Sequence, residues 1–429
     1  MPKNALVAQS GGPTPVINAS LQGVIEACRE NNLQIGTLFA GWHGIEGVLL
    51  EELLELDGVP ESEIQLLSVT PSAGAIGTCR YKLKHDASED FARIVDVLAA
   101  HDVGYFFYIG GNDSMDTANK IGETARERGI ELVVTGVPKT IDNDLGDEEF
   151  TIIDHTPGYG SAARYWAYIT QIALEENRAM SGSEPVSVLQ AMGRSAGFIP
   201  AAARLGDPNR QAPLQIYLAE SGHDLLSLTE HVREETGRSG RCVVVVSEGF
   251  NVGSLGEAHD GFGHIEYGAS RTTVAQVVVN HLNDQGLNVR GQVTGQTPGL
   301  LQRSTSIFAS TTDISEAREV GRRAVEIALR DGSGWMATIL REPGMDYRPI
   351  FDRVALGRVA NSQRFMPAHF IAPSGTDVTD DFLEYARPLI GDGWPATTLE
   401  GGLQRFARIK RRFAGKRLPD YLPAGFRPT

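Results

Sequence analysis

An α/β fold with parallel sheets is the architecture this sequence predicts, and three observations lead to it. Short apolar runs alternate with amphipathic stretches over most of the 429 residues. That alternation is expected where crossover helices cover both faces of a parallel sheet. The length provides for two or three domains. Glycine-containing motifs follow several of the apolar runs, at the carboxyl ends of strands where such sheets bind ligands.

The elements follow in chain order. The run 5–8 (Ala-Leu-Val-Ala) reads as a strand and 16–29 as the helix returning from it. Strand 34–40 follows, then helix 90–100 and the aromatic strand 105–109 (Tyr-Phe-Phe-Tyr-Ile). Helix 115–128 leads to strand 132–136, and helix 160–175 to strand 186–190. Strand 215–218, helix 225–235, the valine-rich strand 242–247 and helix 271–283 complete the regular part. No repeat or low-complexity linker interrupts it. After about residue 330 the pattern changes: 365–401 mixes aromatics with Pro and Gly, and 405–417 is locally basic. The plainest reading of the basic run is a solvated helix face, with an oligomer or ligand contact as alternatives.

Composition narrows the function. Hydrophobic residues make up 41%, enough for a substantial core. The net charge of −15, from 54 acidic and 39 basic residues, argues against nucleic acid or an anionic membrane as partner. It leaves anionic small molecules open, because a phosphate site needs only a few local cations and helix N-termini. Cys28, Cys79 and Cys242 have neither metal nor redox spacing, so a reducing compartment, the cytoplasm, is expected. No signal peptide and no apolar run of transmembrane length is evident.

Several motifs stand at strand ends. Ser10-Gly11-Gly12-Pro13 lets backbone approach a ligand and opens a helix whose N-terminus favours an anion, although a tight turn explains it equally well. Gly110-Gly111-Asn112-Asp113-Ser114 offers a cradle of backbone N–H groups for phosphate. Alternatively Asn112, Asp113 or Ser114 simply caps a helix starting at Met115. In Pro138-Lys139-Thr140-Ile141-Asp142-Asn143-Asp144, two carboxylates two residues apart suit two jobs at one site. One accepts a proton from an attacking hydroxyl, and the other holds Mg²⁺, usually through water. An acidic turn running on to Glu149 is the alternative. Met192-Gly193-Arg194 places an arginine where it could clamp a phosphoryl group. Arg80, Arg290 and Arg303, taken singly, read as surface residues. No P-loop ending in Gly-Lys-Ser or Gly-Lys-Thr is present. The segment 158–163 mimics a dinucleotide fingerprint without following a strong strand.

Taken together and in this order, these segments resemble the phosphofructokinase family. The matching set is Ser10–Pro13, Gly77-Thr78-Cys79-Arg80, Gly110–Ser114, Pro138–Asp144, Met192–Arg194 and Gly299-Leu300-Leu301-Gln302-Arg303, covering roughly residues 4–330. The resemblance implies two Rossmann-like three-layer domains of the phosphofructokinase fold with a C-terminal extension. Residues 1–155 plus about 300–330 would bind the phosphoryl donor and 156–299 the sugar phosphate. Residues 331–429 would pack on both. It further implies a homodimer or homotetramer, and transfer of a phosphoryl group to the 1-hydroxyl of fructose 6-phosphate. Asp142 matches the family's base and Thr140 a contact to the moving phosphoryl group. Asp144, with Asp113 as a second candidate, would hold Mg²⁺. Arg80 and Arg194 match arginines near the transferred phosphate, with Gly11, Gly12 and Gly111 on the donor side. Met192, Gly193 and Glu248 match the sugar site, Arg303 one grip on the 6-phosphate, and Arg290 the other.

Departures from the family's pattern bear on the substrates. ATP-using members commonly have glycine where this chain has Asp113 and Lys139. Asp113 puts a carboxylate where the α-phosphate of ATP would pass, a repulsion of several kcal/mol in a partly desolvated site. Pyrophosphate ends short of that point, and Lys139 supplies a cation for it. Both changes together resemble the pyrophosphate-dependent members. The alternative is an ATP enzyme with a displaced loop. A non-catalytic relative would have lost Asp142, Asp144 or Arg194, and all three are present. Leu300 stands where a His or Tyr often contacts the sugar, so sedoheptulose 7-phosphate is a possible second acceptor. Pro185 replaces an arginine that in some bacterial members reaches the neighbouring subunit's sugar phosphate.

Overall fold

The protein is described by a computed structural model covering residues 2–83, 88–256, 258–259, 265–344, 346–360 and 362–427. In chain order the main strands are β1 (Lys3–Gln9), β2 (Ile35–Gly41), β3 (Leu53–Glu55), β4 (Val103–Gly110), β5 (Val133–Pro138), β6 (Val186–Ala191), β7 (Leu214–Tyr217), β8 (Cys242–Ser247), β9 (Val293–Gln296), β10 (Trp335–Arg341) and β11 (Pro349–Ala355). The first sheet has the order β11-β10-β5-β4-β1-β2-β3 and the second β7-β8-β6-β9. All pairings are parallel except those of the edge strands β3 and β11.

Continuous apolar runs predict burial on both faces, and each sheet is the middle of three layers. Ala5 and Val7 of β1 pack with Leu21 and Val24 of helix Ile17–Glu30 and with Val320 and Ala324 of helix Thr311–Arg330. Leu6 and Ala8 face Ile94 and Leu98 of helix Ser88–Ala100 and Met115 of helix Asn112–Glu127. In the second sheet Val243 and Val245 meet Trp166 of helix Tyr159–Met180, while Val244 and Val246 meet Val232 and Val278. Each fully buried valine contributes about 1.5–3 kcal/mol of transfer free energy.

Helices 17–30 and 311–330 cross closely because glycines leave their backbones room. A Cβ on Gly23 would lie 1.9 Å from the Arg318 carbonyl oxygen, and one on Gly321 would lie 2.1 Å from that of Ser20.

Three expectations need correction. Residues 331–429 are not simply an extension packing on two domains. β10 and β11 complete the first sheet, and Met336, Ala337 and Ile339 of β10 are fully buried within it. The basic run 405–417 is no helix. It lies extended, with Phe413 bridging Leu54 of the β3 edge, Arg412 paired to Glu55 and Arg411 stacked on Trp42. Edge strand β3 offers unpaired backbone groups, and the Glu55 N–H and Leu53 carbonyl are taken up by Arg412 and Ala414. Finally, the helix expected from Met115 begins at Asn112, with Gly111 as its N-cap and no side-chain cap.

Candidate active site

The motif residues converge on one cavity of about 310 Å³, between the carboxyl ends of the two sheets. From the first sheet, β1 delivers Gly11 and Gly12, β4 delivers Gly111 and Asp113, and β5 delivers Lys139, Thr140, Asp142 and Asp144. From the second, β6 delivers Met192 and Arg194, and β8 delivers Glu248. Arg80 and Arg303 reach in from connecting segments.

Local geometry explains the residue types. Gly110 is required because a Cβ there would sit 2.2 Å from Ser114 Oγ, which donates to Ser10 Oγ at 2.9 Å. That bond ties the first two glycine motifs together. The cap reading of the second motif fails: the Asn112 Oδ1 accepts the neighbouring Asp113 N–H, and Asn112 Nδ2 donates to the Ser362 carbonyl. Gly11 has φ +75°, a left-handed conformation that suits glycine. Its neighbour's carbonyl, that of Gly12, accepts from Lys139 Nζ at 2.7 Å. The Lys139 N–H in turn bonds the Gly110 carbonyl, so the ends of β4 and β5 are held level.

Across the cavity Asp142 Oδ2 lies 3.7 Å from Arg194 Nε, bringing the two sheets' motifs face to face. The Asp142 N–H donates to Thr140 Oγ1 at 3.1 Å. Arg194 itself is left-handed, φ +51°, and follows Gly193 at φ +127°. Their two N–H groups both donate to Glu248 Oε1, at 3.0 and 3.2 Å, which holds the strained turn.

The electrostatics point to a polyanion. Burial lowers Lys139 to about 7, and the Arg303, Arg194 and Arg80 guanidiniums push the same way while Asp142 opposes them. Burial and Arg80 also lower Arg303. Lys139 and Arg303, both destabilised as cations by neighbouring guanidiniums, are stabilised when a phosphate binds beside them. The carboxylates form the complementary half. Burial and the Asp142 carboxylate push Asp144 up to about 6 and Glu248 up to about 7.

A model of the phosphofructokinase family matches residues 4–328. The chain belongs to the phosphofructokinase family. It is 38% identical to the pyrophosphate–fructose 6-phosphate 1-phosphotransferase of Halomonas elongata, over 97% of this chain and 99% of that one. The crystal structure of the pyrophosphate-dependent phosphofructokinase of Nitrosospira multiformis superimposes with a TM-score of 0.88 at 37% identity, covering 98% of this chain and 100% of that one. That of Marinobacter aquaeolei gives 0.86 at 37%, covering 98% and 99%.

Within this phosphofructokinase two expected site residues lie apart from the cavity wall. Arg290 is exposed in the turn between helix Val274–Gln285 and β9 and does not line the cavity. The structure therefore does not support it as a grip on a phosphate in this chain's own cavity. Gly193 is buried behind the wall, where it shapes the turn. Arg303, expected at the sugar's 6-phosphate, points toward Gly12 and Arg80: a Cβ on Gly12 would lie 2.9 Å from its Nη1 and 3.6 Å from Arg80 Nη2.

Other wall residues were not anticipated. Glu266 pairs with Arg80 at 3.3 Å, and no pattern in the sequence marks it. Gln302 lies inside the Gly299–Arg303 motif, where the sequence suggests no role for it. Its Oε1 accepts from Trp166 Nε1 and the Met192 N–H, and its Nε2 donates to the Gly299 carbonyl.

Among the described residues no group of three or more His, Cys, Asp or Glu could cage a metal. Mg²⁺ prefers one or two carboxylates with waters and substrate phosphates. Asp144 lines the cavity and is destabilised by Asp142, and Asp113 lines the same cavity, so the residues fit an ion that arrives with its phosphate ligands.

Proposed function

We propose that this phosphofructokinase transfers a phosphoryl group reversibly from pyrophosphate to the 1-hydroxyl of fructose 6-phosphate, giving fructose 1,6-bisphosphate and phosphate. The observation that carries the donor assignment is that Asp113 and Lys139 line the same cavity as Asp142 and Arg194. Asp113 occupies the first turn of helix 112–127, so its carboxylate already faces the positive helix end that a longer polyanion would use. Lys139 completes the cationic cluster on a donor short enough to stop there.

In the reaction the sugar's O1 forms a bond to the terminal phosphorus as the bridging P–O bond breaks. Asp142 accepts the O1 proton and later releases it to solvent. Arg80, Lys139 and Arg194 hold the charge on the moving group, and Thr140 sets the position of the Asp142 backbone. Positioning and electrostatics supply most of the rate in such transfers. Asp144, with Asp113, would hold Mg²⁺, which neutralises the pyrophosphate when bound.

Turnover with each donor at equal Mg²⁺ tests the assignment: activity is expected with pyrophosphate, and activity from ATP alone would overturn it. Asp113→Gly, with or without Lys139→Gly, should raise ATP use relative to pyrophosphate. A second acceptor, sedoheptulose 7-phosphate, is suggested by Leu300, an apolar side chain that lines the cavity where the family often has His or Tyr. Competition between the two sugars for one enzyme checks it. We place the enzyme in the cytoplasm as a homodimer or homotetramer. In support, its three cysteines are all buried thiols, and no helix among the described residues is long and apolar enough to cross a membrane. Sedimentation equilibrium measures the assembly.

A further inference from the structure

One short segment of the C-terminal part of the chain, residues 362–366, bonds to three of the loops that form the site. The Ser362 carbonyl accepts from Asn112 Nδ2 at 2.7 Å, next to Asp113. Gln363 Nε2 donates to Ser195 Oγ at 2.8 Å, next to Arg194. The Met366 N–H shares Glu220 Oε1 with the N–H of Gly197, at 3.0 and 2.9 Å.

Arg364 lies at the centre of this segment and is fully buried. Its guanidinium stacks 4.6 Å from the Phe150 ring, and its hydrogen bonds go to carbonyl and amide oxygens. Nε donates to the Asn143 carbonyl at 2.9 Å and Nη2 to Asn143 Oδ1 at 2.8 Å, while its own N–H donates to the Asp144 carbonyl at 2.7 Å. Asn143 has φ +57°. A left-handed residue between Asp142 and Asp144 reverses the chain so that both carboxylates enter one cavity, and such a conformation persists only where its surroundings hold it.

We propose that residues 362–366 are a positioning strap for phosphoryl transfer, in which Arg364 locks the turn carrying Asp142 and Asp144 and Gln363 steadies the turn carrying Arg194. The strap touches no reacting atom. It acts through the residues that do, and so rests on the catalytic reading above. It does not depend on the choice of donor, because rates are compared using whichever donor the wild-type enzyme accepts.

The test is steady-state kinetics of Arg364→Lys, Arg364→Met and Gln363→Ala, each with a thermal melt. Lysine keeps the charge but cannot span the same acceptors. Arg364→Lys is expected to lower kcat about 10-fold or more with KM for both substrates nearly unchanged, and Arg364→Met to lower it further. That ordering is partial rescue by the conservative variant, which a purely structural clamp would not link to kcat. A folded Arg364→Lys enzyme with wild-type kcat, or with only KM raised, overturns the proposal. Where the Arg364 variants fail to fold, Gln363→Ala decides, since that side chain is exposed. A several-fold fall in kcat at unchanged melting temperature supports the strap, and wild-type kcat overturns it.

Discussion

Lys139 joins sequence to mechanism through one ionisation. Buried among guanidiniums, it is lowered to about 7, so near neutrality it is partly uncharged until an anion binds beside it. An entering phosphate restores the proton, because an adjacent anion favours the ammonium. Binding therefore takes up a proton between about pH 7 and the higher value in the complex, and affinity for the donor falls as pH rises through that window. The expected outcome is a KM for pyrophosphate that climbs above pH 7 in the wild type and climbs less steeply in Lys139→Met. Asp142 gives a simpler expectation. Replacing it with Asn removes the proposed proton acceptor and should lower kcat by about 100- to 10,000-fold with modest change in KM. That both residues line the cavity was legible in the sequence, since they stand at the carboxyl end of a strand in a parallel sheet. The place of Arg290 was not, because an arginine's identity says nothing of which way its turn faces, and here that turn is exposed.

Among the elements, the core strands were readable because β4 and β8 are buried almost throughout, and such strands have no polar face to blur the pattern. β11 was missed for the opposite reason, being a largely solvent-facing antiparallel edge. Helix 311–330 was missed as well. Its charged residues mask the apolar stripe, and several serve packing: Arg318 and Arg322 pair with Glu26 and Glu30 of helix 17–30, against which its small residues also lie. That crossing gives a prediction about stability. Gly23→Ala drives a methyl into the Arg318 carbonyl and should cost about 1–3 kcal/mol, read as a lower midpoint in urea with little effect on KM.

The assembly of the whole chain depends on buried polar ties between distant segments. His155 bridges Asp154 and Glu316 at 2.8 and 2.7 Å, joining the segment after the catalytic turn to helix 311–330. Burial alone would lower its pKa, but Glu316 and Asp154 outweigh that and raise it from 6.5 to about 9. A histidine raised on folding adds stability below its unfolded value, and that contribution is lost as pH climbs through the folded one. The melting temperature should therefore decline between about pH 6.5 and 9, and His155→Gln should flatten the decline. The tail makes similar ties. Glu51 accepts the backbone N–H groups of Arg417 and Leu418, and Asp90 accepts from the Tyr421 hydroxyl and the Ala424 N–H. Removing residues 405–429 should lower the melting temperature by stripping two buried carboxylates of partners.

Local information was enough for the alternation of strands and helices, the motifs at the strand ends, the family resemblance and the identities of most cavity residues. These depend on side-chain type and short-range spacing, which the order of residues carries directly. The tertiary structure alone decided that 405–417 is a strap on the β3 edge rather than a helix, and that β10 and β11 belong to the first sheet. It alone placed Arg364 against the turn at Asn143 and Asp144. The physical reason is common to all three: each depends on contacts between segments far apart in the chain, and burial, strand pairing and hydrogen-bond partners of that kind leave no periodicity in the sequence that makes them.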